Sequence, residues 1–303
     1  MPDPQHRPGK IGIWTFAFDA HPAGRVRDAA AELEELGYRA IWFGEALGRE
    51  AMTQAALLLG ATHRAVVATG IANVHLRTPL TMAAAERSLA EQYRGRLLLG
   101  LGGHRVPGSP NSFGGYRVPM SEKPVSDMRD YLDTMDTAPL AGATPATAPR
   151  RVLAALGPRM LDLAAERTSG AHSYFVPVAH TAMARERMGT GAYLAVEQAV
   201  VLDSDPERVR QLQRAHVGAY LRAQHQRNNL LRLGFDETEL ADGGSGRLND
   251  ALVAGGDIKA ISARVRAHLD AGADHVCLQV LTPSPGELPL REWRELAALV
   301  GEH

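Results

Sequence analysis

Short apolar runs alternate along this chain with stretches whose apolar residues recur at helical spacing. The clearest unit lies between Ala65 and His104. A buried strand is predicted over Ala65–Val74, a helix opens at Thr78-Pro79 and runs to about Gln92, and a second strand follows at Arg96–Leu101. That second strand ends in Gly102, Gly103 and His104. Strand, helix, strand in this order is a parallel crossover unit.

The same alternation fills the rest of the chain. A strand from Lys10 (KIGIWTF) precedes a helix over Gly24–Leu36, whose Val26, Ala29, Ala30, Leu33 and Leu36 share one face. YRAIWFGE is the second strand, and helix Met52–His63 leads to the unit already described. After a polar loop (105–123) come helix Val125–Asp136, a low-complexity connection (APLAGATPATAP) and a fifth strand over 151–157. Helix Met160–Arg167, strand AHSYFVP, helix His180–Met188 and strand YLAVEQAVVL continue the pattern. Asp205-Pro206-Glu207 opens an Arg-rich helix reaching about Arg222, whose arginines read as a solvated face. HQRNNLLRLGF, the loop ADGGSG, helix Ile258–Ala271, strand DHVCLQVL and a helix from about Leu290 close the chain. Glycine repeatedly separates a helix from the next strand, at Gly37, Gly95, Gly170, Gly191 and Gly272.

Eight strand candidates, most of them apolar throughout, predict an α/β fold of (β/α)8 TIM-barrel type with insertions after strands 4 and 7. One domain over residues 1–303 is expected, with 1–9 as a disordered tail. An open doubly wound sheet would want a dinucleotide loop, but Gly100-Leu101-Gly102-Gly103-His104 lacks the third spaced glycine. Net charge of −1 argues against nucleic acid as a partner. The lone Cys277 sits in an apolar run and reads as a small buried hydrophobe in a reducing compartment. No uncharged apolar run approaches the ~20 residues of a membrane span, and no signal region opens the chain, so a cytoplasmic protein away from membranes is expected.

A barrel builds its site at the C-terminal strand ends. That rule selects Trp14, Thr15 and Phe16; Gly44 and Glu45; Ala72, Asn73 and His75; Gly102, Gly103 and His104; Gly157, Pro158 and Arg159; Tyr174; and Glu197. Glu45 follows a buried strand directly, so it is either used chemically or bonded to a neighbouring strand. His104 follows two glycines and titrates near neutrality, which suits proton transfer or a structural hydrogen bond. Gly157-Pro158-Arg159 opens a helix whose free N–H groups and nearby cation form an anion site. His172 and His180 flank the next strand and either extend that pocket or lie on the surface. The histidines and carboxylates show no metal-ligand spacing, so no metal is expected.

IWFGE (41–45), ATGIANVHLRTP (68–79), YRGRLLLGLGGH (93–104), LGPRMLDLAAERTSGAH (156–172) and AGADHVCLQVL (271–281) together resemble the luciferase-like monooxygenase superfamily. The similarity is closest to its deazaflavin-dependent oxidoreductases and spans about Lys10 to Leu281. The resemblance implies an oxidoreductase that exchanges a hydride between coenzyme F420, or FMN in the alternative, and a small organic substrate. An FMN-dependent monooxygenase and a catalytically silent cofactor-binding barrel are the other readings. It implies a non-prolyl cis peptide bulge under the cofactor ring at Gly70, Ile71 and Ala72, with Asn73 beside it. Gly102 and Gly103 would wall the ring, and Gly157, Pro158, Arg159 and Met160 would hold the cofactor phosphate. His104 and Glu45 are the expected catalytic residues, and a homodimer is expected by analogy. Two departures set the chain apart. Sugar-phosphate dehydrogenases of this group carry a histidine base just after strand 2, where this chain has Ala46, and an acidic Glu after strand 4, where it has Gly103-His104.

Overall fold

The computed structural model describes residues 8–46, 48–103, 112–113, 116–117 and 123–301. In chain order the first half contains β1 (Ile11–Thr15), α1 (Ala23–Glu35), β2 (Ala40–Phe43), α2 (Ala51–Ala61), β3 (Val66–Thr69), β4 (Ala72–Asn73), α3 (Pro79–Gln92), β5 (Leu97–Gly102) and the antiparallel pair β6 (Ser112–Phe113) and β7 (Tyr116–Arg117). The second half contains α4 (Pro124–Asp136), β8 (Arg150–Ala154), α5 (Pro158–Arg167), β9 (Gly170–Ser173), α6 (Val178–Met188), β10 (Tyr193–Leu202), α7 (Pro206–Tyr220), α8 (Gln224–Arg232), α9 (Gly246–Leu252), β11 (Val253–Gly256), α10 (Ile258–Asp270), β12 (His275–Val280) and α11 (Leu290–Leu296). Parallel pairing runs β1-β2-β3-β5-β8-β9-β10-β12, and Ile11 opposite Val276 joins the last strand to the first. The barrel is closed, with β3 and β4 together serving as one wall strand.

Two apolar layers follow from strand alternation. Ile11, Ile13, Ile41, Phe43, Val67, Leu99, Leu153, Val196, Val276 and Leu278 point outward and pack under the helices. Trp14, Ala40, Trp42, Val66, Ala68, Leu98, Val152, Ala195 and Cys277 point inward and fill the barrel. Two tryptophans occupy that interior, and small residues make room for them. The helices start where local chemistry dictates. Thr78 accepts the Thr81 N–H ahead of Pro79, and Asp205 accepts the Glu207 N–H ahead of Pro206.

The far end of the barrel is tied by two charged side chains acting on backbone. Glu34 accepts the N–H groups of His63, Arg64 and Ala65, while buried Arg96 donates to the carbonyls of Leu59, Thr62 and Ala65. Together they satisfy the α2–β3 turn, which would otherwise bury unpaired polar groups.

The structure corrects several boundaries. β8 stops at Ala154 rather than at 157, because the chain turns to open α5 at Pro158. β9 stops at Ser173 rather than running on to 177, because Phe175 takes φ +58, a left-handed conformation that ends an extended run. The third strand is interrupted by a cis peptide between Gly70 and Ile71, at the position the resemblance implies. The insertion after strand 7 holds α8, α9 and β11, elements not foreseen. β11 extends the wall beside the end of β10, and Phe175, Val201, Val217, Leu230 and Leu252 form a second apolar cluster beneath it. Residues 1–7 of the expected tail lie outside the described residues, whereas Gly9 is fixed by a hydrogen bond from His275 Nδ1 (2.8 Å). No helix among the described residues is long and apolar enough to cross a membrane.

Candidate active site at the barrel mouth

The break in the third strand gathers three of the expected residues. Gly70 N donates to Phe43 O, and Ile71 O accepts from Glu45 N. Buried Asn73 donates its backbone N–H to Glu45 Oε2 (2.7 Å), and its Oδ1 accepts the His75 N–H (3.0 Å). Glu45 itself is 5% exposed, with both oxygens engaged. Oε1 accepts the Ala51 N–H at the start of α2 (2.9 Å), and Arg77 reaches both oxygens. The carboxylate is thus a brace joining β2, β4 and α2. Among the described residues it has no partner on the barrel axis.

Only glycine fits at Gly70. A Cβ there would stand 2.4 Å from Trp14 Nε1 and 3.0 Å from His172 Nε2. Neither nitrogen has a hydrogen-bond partner of good geometry, and the Ala195 backbone gives His172 only a weak contact. Two buried, unsatisfied ring nitrogens therefore converge on the strand break. His172 stacks on Trp42 (4.5 Å between centroids, 22° between planes), and Trp42 Nε1 donates to His275 Nε2 (3.0 Å). Burial pushes His172 down to about 3 and His275 to about 4, so both rings are neutral. Gly102 and Gly103 continue the wall, the first against Ile71 and the second against the His75 ring. His104 lies outside the described residues.

The second expected cluster sits at the start of α5. Gly157 is its N-cap residue and no side chain caps the helix; Pro158 carries no N–H and the Met160 N–H donates to Gly157 O (3.1 Å), which leaves the Arg159 N–H of the first turn for a ligand. Arg159 is exposed, Pro158 and Met160 are half-buried, and Arg159 forms no salt bridge among the described residues. Sequence reasoning missed a second cation here. Arg232 of α8 lies 3.9 Å from the position a Cβ would take on Gly157, and its other nitrogen donates to Asn229 Oδ1 (3.0 Å). Asn229 is 1% exposed and its Nδ2 has no partner. His180 is fully buried beneath, with Nε2 donating to Leu156 O (3.0 Å) and Nδ1 free of partners. The alternative of a surface histidine is thus excluded for both His172 and His180. No signal in the sequence placed α8 beside α5; that proximity belongs to the fold of the insertion.

The β9–β10–β12 side of the mouth is polar. Tyr174, Tyr220 and Gln279 meet there, with Glu197 below them in the barrel. A separate groove of about 560 Å3 lies outside the barrel wall between the ends of β10 and β11 and helix α11. Its cations are already paired, Arg208 with Asp203 and Asp205, and Arg291 with Glu292 and Glu295. No group of His, Cys, Asp or Glu among the described residues could hold a metal ion. Cys277 is buried and its thiol donates to Val196 O (3.4 Å).

A closed parallel barrel with its polar groups gathered at the C-terminal strand ends is an enzyme scaffold. The chain belongs to the luciferase-like monooxygenase family, whose model matches residues 8–275. Over 172 residues it is 28% identical to a Mycobacterium tuberculosis protein provisionally assigned as a coenzyme F420-dependent oxidoreductase, covering 56% of this chain and 46% of that one. The chain thus spans about half the length of this curated relative. Among solved structures it is similar to an F420-dependent secondary alcohol dehydrogenase in complex with an F420-acetone adduct (TM-score 0.74, 13% identity, 97% of this chain and 99% of that one). It is similar also to the FMN-bound oxygenating constituent of 3,6-diketocamphane monooxygenase from Pseudomonas putida (TM-score 0.72, 15% identity, 98% of each chain). At these identities the two structures speak for the fold.

Proposed function

We propose that the protein is an oxidoreductase that binds the deazaflavin coenzyme F420 across the strand ends and exchanges a hydride with a small organic substrate. The observation that carries this reading is the uncapped N-terminus of α5, flanked by Arg159 and Arg232, on the same mouth as the glycine-walled strand break. A helix N-terminus with two cations suits a phosphate. Gly157, Pro158, Arg159 and Met160 would hold that phosphate, with Arg232 as an added anchor from the insertion. Gly70, Ile71, Ala72 and Asn73 would lie against the ring on one side, with Gly102 and Gly103 beside it. The unpartnered nitrogens of Trp14 and His172 fit a planar group rich in acceptors. When bound, a deazaflavin supplies a carbon that gives or takes a hydride, and the protein supplies position and electrostatics. Glu45 would act here by holding Asn73 in register. A cytoplasmic homodimer belongs to the same reading.

Fluorescence titration with oxidised F420, and separately with FMN, tests it. The expected result is binding of F420, weakened about tenfold or more when Arg159 and Arg232 are both replaced by Ala, since a charge-assisted contact contributes roughly 1.5–3 kcal/mol. Binding of FMN alone would move the assignment to a monooxygenase. Binding of neither would leave a catalytically silent barrel and end the proposal.

A further inference from the structure

The cofactor as placed above takes the β3–β5 walls and the start of α5. The opposite part of the mouth, at the ends of the neighbouring strands β9, β10, β12 and β1, is left for the substrate. That part is built of aromatic rings. Trp14, inside β1, meets Phe16 edge-on (4.6 Å between centroids, 87° between planes) and Tyr174 at a tilt (5.0 Å). Tyr220, from α7 of the insertion, packs on Tyr174 (5.2 Å), and Phe175 stacks on it (4.9 Å, 26°). Trp14 and Phe175 are buried, whereas Phe16, Tyr174 and Tyr220 are half-buried and keep part of their surface open. Each open ring is thus steadied by a buried one, and such a wall loses little freedom when a ligand settles on it.

The polar groups of this wall are few and ordered. Tyr174 Oη donates to Gln279 Oε1 (2.7 Å) and lies 2.6 Å from Tyr220 Oη. A hydroxyl has one proton, so Tyr220 donates to Tyr174. The bond from Tyr174 fixes the Gln279 amide, whose Nε2 has no partner among the described residues and stays open to solvent. The wall therefore offers one oriented N–H group, from Gln279. It offers no charge. Burial keeps both phenols protonated, and no cation acts on them or on Glu197 among the described residues. Glu197, below them on β10, is 1% exposed, and burial raises its carboxyl to about 8, so it stays a neutral acid at pH 7.

We propose that this wall is the substrate subsite and that it selects an uncharged, planar aromatic compound bearing a carbonyl oxygen, with its ring against Phe16, Tyr174 and Tyr220 and its oxygen on Gln279 Nε2. The inference rests on the hydride-transfer reading above and names the substrate class of that same site. Flat rings pack edge-on or offset against other rings, which a puckered saturated ring of the same size does not do. A substrate carboxylate would give up its hydration and meet no cation here, and a substrate ammonium would meet no ionised carboxylate. Tyr220 reaches the mouth from the insertion, so the segment that brings Arg232 to the cofactor side also shapes the choice of substrate.

Isothermal titration of the F420-bound protein with 2-naphthamide, its decahydro counterpart and 2-naphthoate reads this choice apart from turnover. The expected result is that 2-naphthamide binds about tenfold or more tighter than either of the others. Tyr220→Leu and Phe16→Leu, with folding checked by thermal melts, should each cut the preference for the flat ring about threefold or more. Gln279→Leu should weaken both amides alike and leave that preference in place. Equal binding of the two amides overturns the proposal, as does naphthoate binding as tight as that of 2-naphthamide. A preference that survives in both ring variants, or no binding of any probe, overturns it too. Each of these results in a protein that binds F420 ends this inference alone, whereas absence of F420 binding ends the hydride reading first and this inference with it.

Discussion

Urea denaturation at about pH 7.5, 6.5, 5.5 and 4.5 should show a steep loss of stability on the acid side, with unfolding complete near the low end. Four histidines are buried to 1% exposure or less: His172, His180, His268 and His275. Burial lowers all four, to about 3, 4, 3 and 4 respectively. The bonds of His268 and His275 require the neutral ring, and burial alone holds His172 and His180 neutral. His268 Nε2 donates to Gln198 Oε1 (2.9 Å) while its Nδ1 accepts from Thr181 Oγ1 (2.8 Å), and His275 accepts at Nε2 while donating at Nδ1. Below about pH 6.5 the unfolded chain binds protons at these rings and the folded chain does not, so stability falls as pH falls, by roughly 1.4 kcal/mol per pH unit per ring. Glu197 works in the opposite sense. Its raised carboxyl makes the fold most stable below the unfolded value of 4.5, and that contribution is lost as the pH rises towards about 8. Four rings outweigh one carboxyl, leaving a net slope of up to roughly 4 kcal/mol per pH unit, against a total of about 5–15 kcal/mol for a typical domain. His172→Phe keeps a ring against Trp42 and removes two unpartnered nitrogens, so it should flatten the slope by about one ring's share. A stability that stays level between pH 7.5 and 5 would show that these rings accept protons without unfolding.

The alternation of elements was legible because each helix and strand carries its own local signal. Thr78-Pro79 and Asp205-Pro206 are capped starts in the structure as in the pattern, and Gly37, Gly95, Gly170 and Gly272 take positive φ between a helix and the next strand. What was hidden depends on which elements meet. β11 has only Val253 and Ala254 before two glycines, too short a run to show a period, and it becomes a strand because β10 outruns β9 and offers an edge. Arg232, Tyr220 and Gln279 reach the mouth from separate elements, and in sequence Tyr220 is one residue among the arginines of a surface-looking helix. Glu197 and Tyr174 were legible as strand-end residues, since the barrel rule needs only parity and position. Their mutual arrangement was not, because it turns on Phe175 leaving the extended conformation and presenting its N–H to the carboxylate.

Replacing Arg77 by Met should cost more than any substitution on the outer surface, about 3–5 kcal/mol in a urea melt at neutral pH, because it strands a buried carboxylate. The Arg77 side chain is 8% exposed and bonds both Glu45 oxygens, as well as Glu50 Oε1 (2.7 Å). Without it, Glu45 keeps only the N–H groups of Ala51 and Asn73, and Glu50 loses a partner at the cap of α2. The double variant Glu45→Gln/Arg77→Met removes both charges and should recover part of the loss, since the neutral amide oxygen can still accept one of those two N–H bonds while its NH2 cannot accept the other. The same pair of variants separates the two readings of Glu45. As a brace, Glu45→Gln should lower stability and loosen F420 binding together, through the displaced Asn73. As a proton-transfer group, it should instead abolish turnover while stability and F420 affinity stay where they were, and that outcome would return Glu45 to the chemistry and make Arg77 its positioning partner.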